Sequence, residues 1–173
     1  MNTLTEAQEM WMDTIISVVS QPKFNIKIGD MNYVLGNMIA KYVSSSKHYR
    51  ISNEALSYIK SISLDETKPV HIKKHIYGKD KNTILEHIIP SSIIKNAIVN
   101  SRNDRATIQH ILLHSGYVII VTREEDKRLT EGKLSRKMPD SWSGFGDVPE
   151  KRYDAVGIHI SSVFIEHEGP ICR

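Results

Sequence analysis

The chain begins with two segments whose apolar residues recur at helical spacing. Residues 4–19 predict a helix that faces the core, and Thr3 with Glu6 predicts a capping box at its start. A second helix is predicted after Asp30, with its end in the serine run at 44–46. The apolar positions that define these two helices are Leu4, Ala7, Trp11, Ile15, Val18, Met31, Val34, Leu35, Met38, Ile39 and Tyr42.

The hydrophobic pattern changes after Pro69. A short third helix is predicted after Ser52, and beyond the turn-rich stretch that follows it the residues become β-like. Residues 70–77 and 83–89, separated by a polar turn, predict a β-hairpin. Residues 117–121, "YVIIV", predict a short buried strand.

The remaining segments alternate between helix signals and turn signals. Between the predicted strands, two helices are expected, after Pro90 and at residues 105–114. Thr122 and Glu125 predict a second capping box, and Gly132 marks the end of that helix. The last part is predicted to contain a loop pinned by aromatic residues at 133–148, a short helix at 149–156 and a strand at 158–165.

These elements predict an α+β fold in a single domain, with N-terminal helices packed on a small β-sheet. A length of 173 residues fits one domain with a sizeable core. Within it we distinguish a helical part at 1–63, a strand–helix core at 68–132, and a final part at 133–173 that contains a loop, a short helix and a strand.

Composition excludes several classes of protein. Hydrophobic residues make up 40% and charged residues 25% of the chain, which is typical of a globular protein. The single cysteine, Cys172, excludes a disulfide framework and a zinc site built from cysteines, so any metal must be held by oxygen and nitrogen. The sequence has neither an apolar run long enough to span a bilayer nor a secretion signal, and we expect a cytoplasmic protein without a membrane partner.

Charge is unevenly distributed along the chain. The net charge is +3, but residues 68–105 carry a clear excess of lysine and arginine over acidic residues. This bias favours either a surface that follows phosphates or an ordinary solvated face.

The stretch "TILEHIIPSS", residues 83–92, places a carboxylate and an imidazole side by side at the end of an apolar strand. Pro90 limits further strand pairing, so His87 is predicted to lie at the mouth of a cleft. A polar pair is costly to bury inside an apolar run without a use. Glu86 and His87 supply the residue types that phosphodiester cleavage needs, a ligand for a hard cation and a base that deprotonates water.

The same residues carry a resemblance to a known family. "EHIIPSS" resembles the first motif of the HNH endonucleases, the ββα-metal nucleases, and "YVIIVTREEDKRL" is similar to the second strand and helix of that family. The resemblance covers roughly residues 83–131. It implies a ββα-metal-like strand–helix core and metal-dependent hydrolysis of nucleic acid, with DNA favoured over RNA.

The resemblance also implies roles for individual residues. His87 would be the general base, Glu86 a metal ligand and Asp126 the second ligand, with Glu125 as its alternative. Carboxylates suit Mg²⁺ or Mn²⁺ better than Zn²⁺. Substrate phosphates would be held by Lys127, Arg128 and Lys95.

Other interpretations of these residues stay open. Glu86 and His87 could form a purely structural pair, and the capped helix with mixed charges could be a solvated surface. A non-catalytic factor that binds nucleic acid or protein on a nuclease-like scaffold is the main alternative function. His110 and His114, four residues apart, could hold zinc in a metal sensor. The sequence leaves the oligomeric state and the substrate sequence open.

Overall fold

The computed structural model describes residues 4–62 and 81–166, and its strands form one mixed sheet. The strand order is β2-β3-β1-β4, with β3 parallel to β1 and antiparallel pairing at both outer positions. The strands are β1 (His48–Ser52), β2 (Thr83–His87), β3 (Val118–Thr122) and β4 (Ile160–Glu166).

Helices fill the segments before and between these strands. Their bounds are α1 (Glu6–Val19), α2 (Gly29–Ser44), α3 (Asn53–Ile62), α4 (Ser91–Asn100), α5 (Arg105–Ser115), α6 (Arg123–Glu131) and α7 (Lys151–Asp154). Helix α1 packs on α2, α4 packs on α2 and α5, and α3 and α6 lie against the sheet. None of the helices within residues 4–62 and 81–166 is long and apolar enough to cross a membrane.

Strand β3 lies in the centre of the core. All five of its residues are buried, as expected for a strand that is paired on both edges and covered on both faces. The apolar stripes of α1 and α2 are buried on the same core, including Ile15, Leu35, Ile39 and Tyr42. The predicted fold class, α+β with N-terminal helices on a small sheet, is therefore confirmed.

Several local predictions agree with the described elements. Thr122 and Glu125 form the predicted capping box, and Gly132 follows the last residue of α6. The first helix also begins with a capping box, but Thr5 and Gln8 form it. Thr3, which the sequence analysis paired with Glu6, lies outside the described residues.

The sheet differs from the prediction at β1 and at the end of β2. The N-terminal part is not purely helical, because β1 lies at the centre of the sheet between β3 and β4. The predicted partner of β2 at residues 70–77 lies outside the described residues, and within them β2 pairs with β3. Strand β2 also ends at His87, two residues earlier than predicted, and Ile88 and Ile89 are buried beyond its end.

The segment after α6 is an irregular loop with an aromatic contact, as predicted. The rings of Trp142 and Phe145 meet edge to face with centroids 5.5 Å apart, and both pack against the core. The chain then enters α7, which brings Arg152 and Tyr153 into the interior.

Candidate functional site

A strand–strand–helix unit positions the candidate site. Strand β2 pairs antiparallel with β3 so that Glu86 faces Ile119 and His87 faces Val118 in the register. Strand β3 continues directly into α6 through the cap residue Thr122, and α6 packs against both strands. Helices α4 and α5 form the connection between the two strands. This order of elements brings residues about forty positions apart in the chain to the same place.

The side chain of Arg152 holds the end of β2 together. It is 1% exposed, and its Nη1 donates a hydrogen bond to the His87 carbonyl oxygen at 2.7 Å. Its Nη2 lies 3.2 Å from Oε2 of Glu86 and forms a salt bridge with it. The same guanidinium also donates to the carbonyl oxygens of Leu134 and Ser135. A buried charge is tolerated only when it is paired and hydrogen-bonded, and Arg152 meets both conditions.

The pKa of Glu86 is subject to opposing effects of burial and of neighbouring charges. Burial raises the pKa of Glu86, the positive charge of Arg152 lowers it, and the negative charge of Asp126 raises it. Asp126, in the first turn of α6, is therefore close enough to Glu86 to act on it electrostatically. The negative charge of Asp126 thus acts on the carboxylate that the sequence analysis named as the first metal ligand.

His87 is held as a neutral imidazole. Burial, followed by the positive charge of Arg152, lowers the pKa of His87 to about 4. Its Nδ1 has no contact with solvent and no hydrogen-bond partner among the described residues. Buried polar atoms are nearly always paired, and this nitrogen is one of the exceptions among the described residues. Arg152 acts on both His87 and Glu86, whereas Asp126 acts on Glu86.

Glu125, the alternative metal ligand, has a structural role. It is fully buried, and its Oε2 accepts a hydrogen bond from Ser52 Oγ at 2.6 Å and from the Thr122 backbone N–H at 2.7 Å. These contacts cap α6 and tie it to the end of β1. Of the two acidic residues considered for the second ligand, Asp126 is the one whose charge acts on Glu86.

The three basic residues expected to hold phosphate are engaged elsewhere. Lys127 lies 3.8 Å from Glu124 and from Glu131 on the exposed face of α6. Arg128 forms a salt bridge with Glu54 of α3, and Nζ of Lys95 donates to Asn32 of α2 at 2.9 Å. Within residues 4–62 and 81–166, none of these contacts joins them to Glu86 or His87.

The described residues contain no group of three or more histidine, cysteine, aspartate or glutamate side chains arranged to hold a metal ion. A magnesium ion, however, is commonly held by one or two carboxylates together with substrate phosphates and water. Glu86 carries the type of side chain used in that smaller role, and in this structure its carboxylate pairs with Arg152. A cation held by protein ligands without substrate does not fit the described residues.

His110 and His114 are the histidines that the sequence offers for a zinc site. The rings of His110 and His114 lie with centroids 4.1 Å apart, so the two side chains do share one face of α5. His110 Nε2 lies 3.3 Å from the Phe145 carbonyl oxygen, and His114 Nδ1 lies 2.9 Å from the His110 carbonyl oxygen. Because the described residues offer no third ligand nearby, the pair supports loop packing better than metal binding.

Sequence reasoning missed Arg152 and Tyr153. Burial holds the pKa of Tyr153 well above its ordinary value, so its hydroxyl stays protonated and donates to the His87 carbonyl oxygen at 3.3 Å. No spacing pattern marks either residue, because both reach the site from a short helix sixty-five positions further along the chain. The sequence shows these residues only as the dipeptide "RY" shortly after Pro149, and such a dipeptide is too common to indicate a functional site.

Comparison of the chain with protein-family models, curated proteins and solved structures finds no match. The resemblance to HNH endonucleases thus stays a prediction from the sequence motifs.

Proposed function

We propose that this protein is a metal-dependent nuclease of the HNH type that hydrolyses phosphodiester bonds in nucleic acid, DNA in preference to RNA. The observation that supports the proposal is the strand–strand–helix unit, in which Glu86 and His87 end β2, β3 pairs with β2, and α6, with Asp126 in its first turn, follows β3 directly. The cytoplasm is the compartment proposed for this activity.

Four side chains of the candidate site have defined parts in the proposed reaction. His87, neutral because of its lowered pKa, accepts a proton from the attacking water through a ring nitrogen. Glu86 and Asp126 would hold Mg²⁺ or Mn²⁺ together with a substrate phosphate, and the cation would supply charge stabilisation at the scissile phosphate. Arg152 fixes Glu86 and the His87 backbone, and acts as a positioning residue.

A cleavage assay tests the proposal. Plasmid and single-stranded DNA are incubated with the wild-type protein in Mg²⁺, in Mn²⁺ and in EDTA. We expect cleavage in either metal and none in EDTA. His87→Ala should lower the rate by about 100-fold or more, the usual contribution of a general base. His159→Ala is the matched control, at an exposed histidine whose backbone carbonyl oxygen accepts a hydrogen bond from the Asn53 N–H.

A parallel pair of variants tests the second carboxylate. Asp126→Asn should abolish metal-dependent cleavage, while Asp140→Asn, at an exposed aspartate in the loop after α6, should retain the wild-type rate. Full activity of His87→Ala or of Asp126→Asn would remove the proposed site.

A second candidate function is a non-catalytic nucleic-acid-binding or protein-binding factor on the same scaffold. The observation that favours it is the buried guanidinium of Arg152, which already gives Glu86 a positive partner. Such a factor would bind DNA in EDTA as tightly as in Mg²⁺ and would leave every substrate intact. That combination of results would select it over the nuclease.

A further inference from the structure

We infer that the segment 133–137, "KLSRK", binds the phosphates of a nucleic-acid strand beside the candidate site. We call this segment the basic loop. The inference deepens the proposed function, on which the choice of nucleic acid as the ligand rests. The phosphate contacts that the resemblance implies are Lys127, Arg128 and Lys95, all of which lie outside this segment.

The first argument is position. Arg152 Nε donates to the Leu134 carbonyl oxygen at 2.8 Å, while Nη1 of the same guanidinium donates to the His87 carbonyl oxygen at 2.7 Å. The guanidinium of Arg152 therefore bridges the backbone of the basic loop and the end of β2. Nη2 completes the arrangement by contacting both Ser135 and Glu86.

The second argument is that the basic loop is held in place. Leu134 and Met138 are buried in the core, at 6% and 7% exposure, so the loop is anchored on both sides of Arg136 and Lys137, and Lys133 directly precedes the first anchor. Ser135 Oγ lies 3.0 Å from Thr130 Oγ1 of α6, and Ser92 Oγ of α4 donates to the Arg136 carbonyl oxygen at 3.4 Å. Preorganised groups lose less conformational entropy when they bind.

The third argument is charge. Lys133, Arg136 and Lys137 are exposed, and none of them forms a salt bridge with an acidic residue in the described part of the chain. Lys127 and Arg128, by contrast, are each close to acidic side chains. Cations without a protein partner are the ones that can exchange condensed counterions for phosphates.

The neighbouring helix end adds to the positive field. The first turn of α4, which contacts the basic loop through Ser92, contains no acidic residue and has no side-chain cap. Its backbone N–H groups carry the positive end of the helix dipole. The basic loop and this helix end therefore form one positive border along the end of β2, on which a polyanion can lie across Glu86 and His87.

The test measures DNA affinity against salt concentration in EDTA, where the proposed hydrolysis cannot proceed. The loop variant is Lys133→Gln/Arg136→Gln/Lys137→Gln. The control is Lys23→Gln/Lys27→Gln/Lys60→Gln, at exposed lysines on other parts of the surface. Each variant removes three positive charges and takes the formal net charge from +3 to zero. A difference between them therefore reports location and not total charge.

For duplex DNA each phosphate contact contributes about 0.9 to the slope of log affinity against log salt. The loop variant should lower the magnitude of the slope by about 2.7, and the control should retain the wild-type slope. Over a rise from 50 to 200 mM salt, a slope of 2.7 corresponds to about a 40-fold loss of affinity. Should the triple loop variant not fold, Arg136→Gln/Lys137→Gln should lower the slope by about 1.8.

An unchanged slope in the loop variant, or an equal drop in the control, overturns the inference. Competition by polyglutamate as effective as competition by DNA of equal charge also overturns it, in favour of an acidic protein partner. A loop-dependent slope without any cleavage in Mg²⁺ supports the basic loop and removes the nuclease. Cleavage with a loop-independent slope supports the nuclease and removes the basic loop.

Discussion

At the scale of single residues, Arg152 is the side chain that supports the candidate site, because its guanidinium contacts Glu86 and the backbone of His87 and Leu134. Glu86 and His87 could be recognised because two polar side chains interrupt an apolar strand. Arg152 could not, since its importance arises from burial where β2, the basic loop and α7 meet. A lone arginine has no periodicity, and its partners are backbone carbonyls that any residue could provide.

Replacement of Arg152 by methionine should be strongly destabilising. The change leaves Glu86 without its ion-pair partner and the carbonyl oxygens of His87 and Leu134 without a donor. Breaking a buried ion pair from one side typically costs about 3–5 kcal/mol, and we expect a loss at the lower end because Glu86 is 25% exposed. Urea denaturation measures the free energy of unfolding. Arg136→Met, at an exposed arginine, should change it by less than about 0.5 kcal/mol.

His87 should make the protein less stable in mild acid. Its pKa is about 4 in the folded chain against an ordinary value of 6.5, so between these values the unfolded chain binds a proton that the folded chain does not. Stability contributed by neutral His87 is therefore present above pH 6.5 and is lost as the pH falls toward 4, by up to about 1.4 kcal/mol per pH unit.

The pH effect of His87 is isolated by comparing variants. Glu86 acts in the opposite direction, because its raised pKa makes the folded chain bind more protons than the unfolded chain above its ordinary pKa. The His87→Gln variant should lose the decline between pH 6.5 and pH 4, and His159→Gln should keep it. A wild-type profile in His87→Gln would show that His87 titrates normally in the folded protein.

At the scale of elements, prediction succeeded where the signal is local. The capping box at Thr122 and the end of α6 at Gly132 are set by hydrogen bonds within a few residues. Strand β1 was missed because its five residues, "HYRIS", show a single short alternation at Tyr49 and Ile51. Its extended conformation depends on pairing with β3 and β4, which are distant in sequence.

The cap of α6 should be a stabilising link between the helix and the sheet. In Glu125→Ala, the buried donors of Ser52 and Thr122 lose their shared acceptor. Hydrogen bonds to charged groups contribute about 1.5–3 kcal/mol, so we expect a loss of about 3 kcal/mol for the two. Glu124→Ala, one position earlier on the exposed face of α6, should be nearly neutral in the same denaturation assay. Equal effects of the two substitutions would contradict this role of Glu125.

At the scale of the whole molecule, the predicted α+β architecture is present, while the site depends on a convergence that the sequence does not encode locally. The order β2, two helices, β3 and α6 brings the helix that carries Asp126 against β2, the strand that carries Glu86. The loop after α6 and the helix α7 then close the same region from the other side through Arg152. Because Glu86 is already paired with a buried guanidinium, additional positive charge should bind there only with help from an anion.

This arrangement predicts coupling between divalent metal and nucleic acid. In His87→Ala, used to prevent cleavage, Mg²⁺ without DNA should shift the melting temperature very little. DNA with Mg²⁺ should raise it by more than the sum of the separate shifts. A ligand at 100 times its Kd stabilises by about 2.7 kcal/mol, which for a chain of this size corresponds to about 5–10 °C. His87→Ala/Asp126→Asn should lose the excess shift but keep the shift from DNA in EDTA, because the basic loop is intact. Strictly additive shifts in His87→Ala would mean that Glu86 and Asp126 do not share a cation with the substrate.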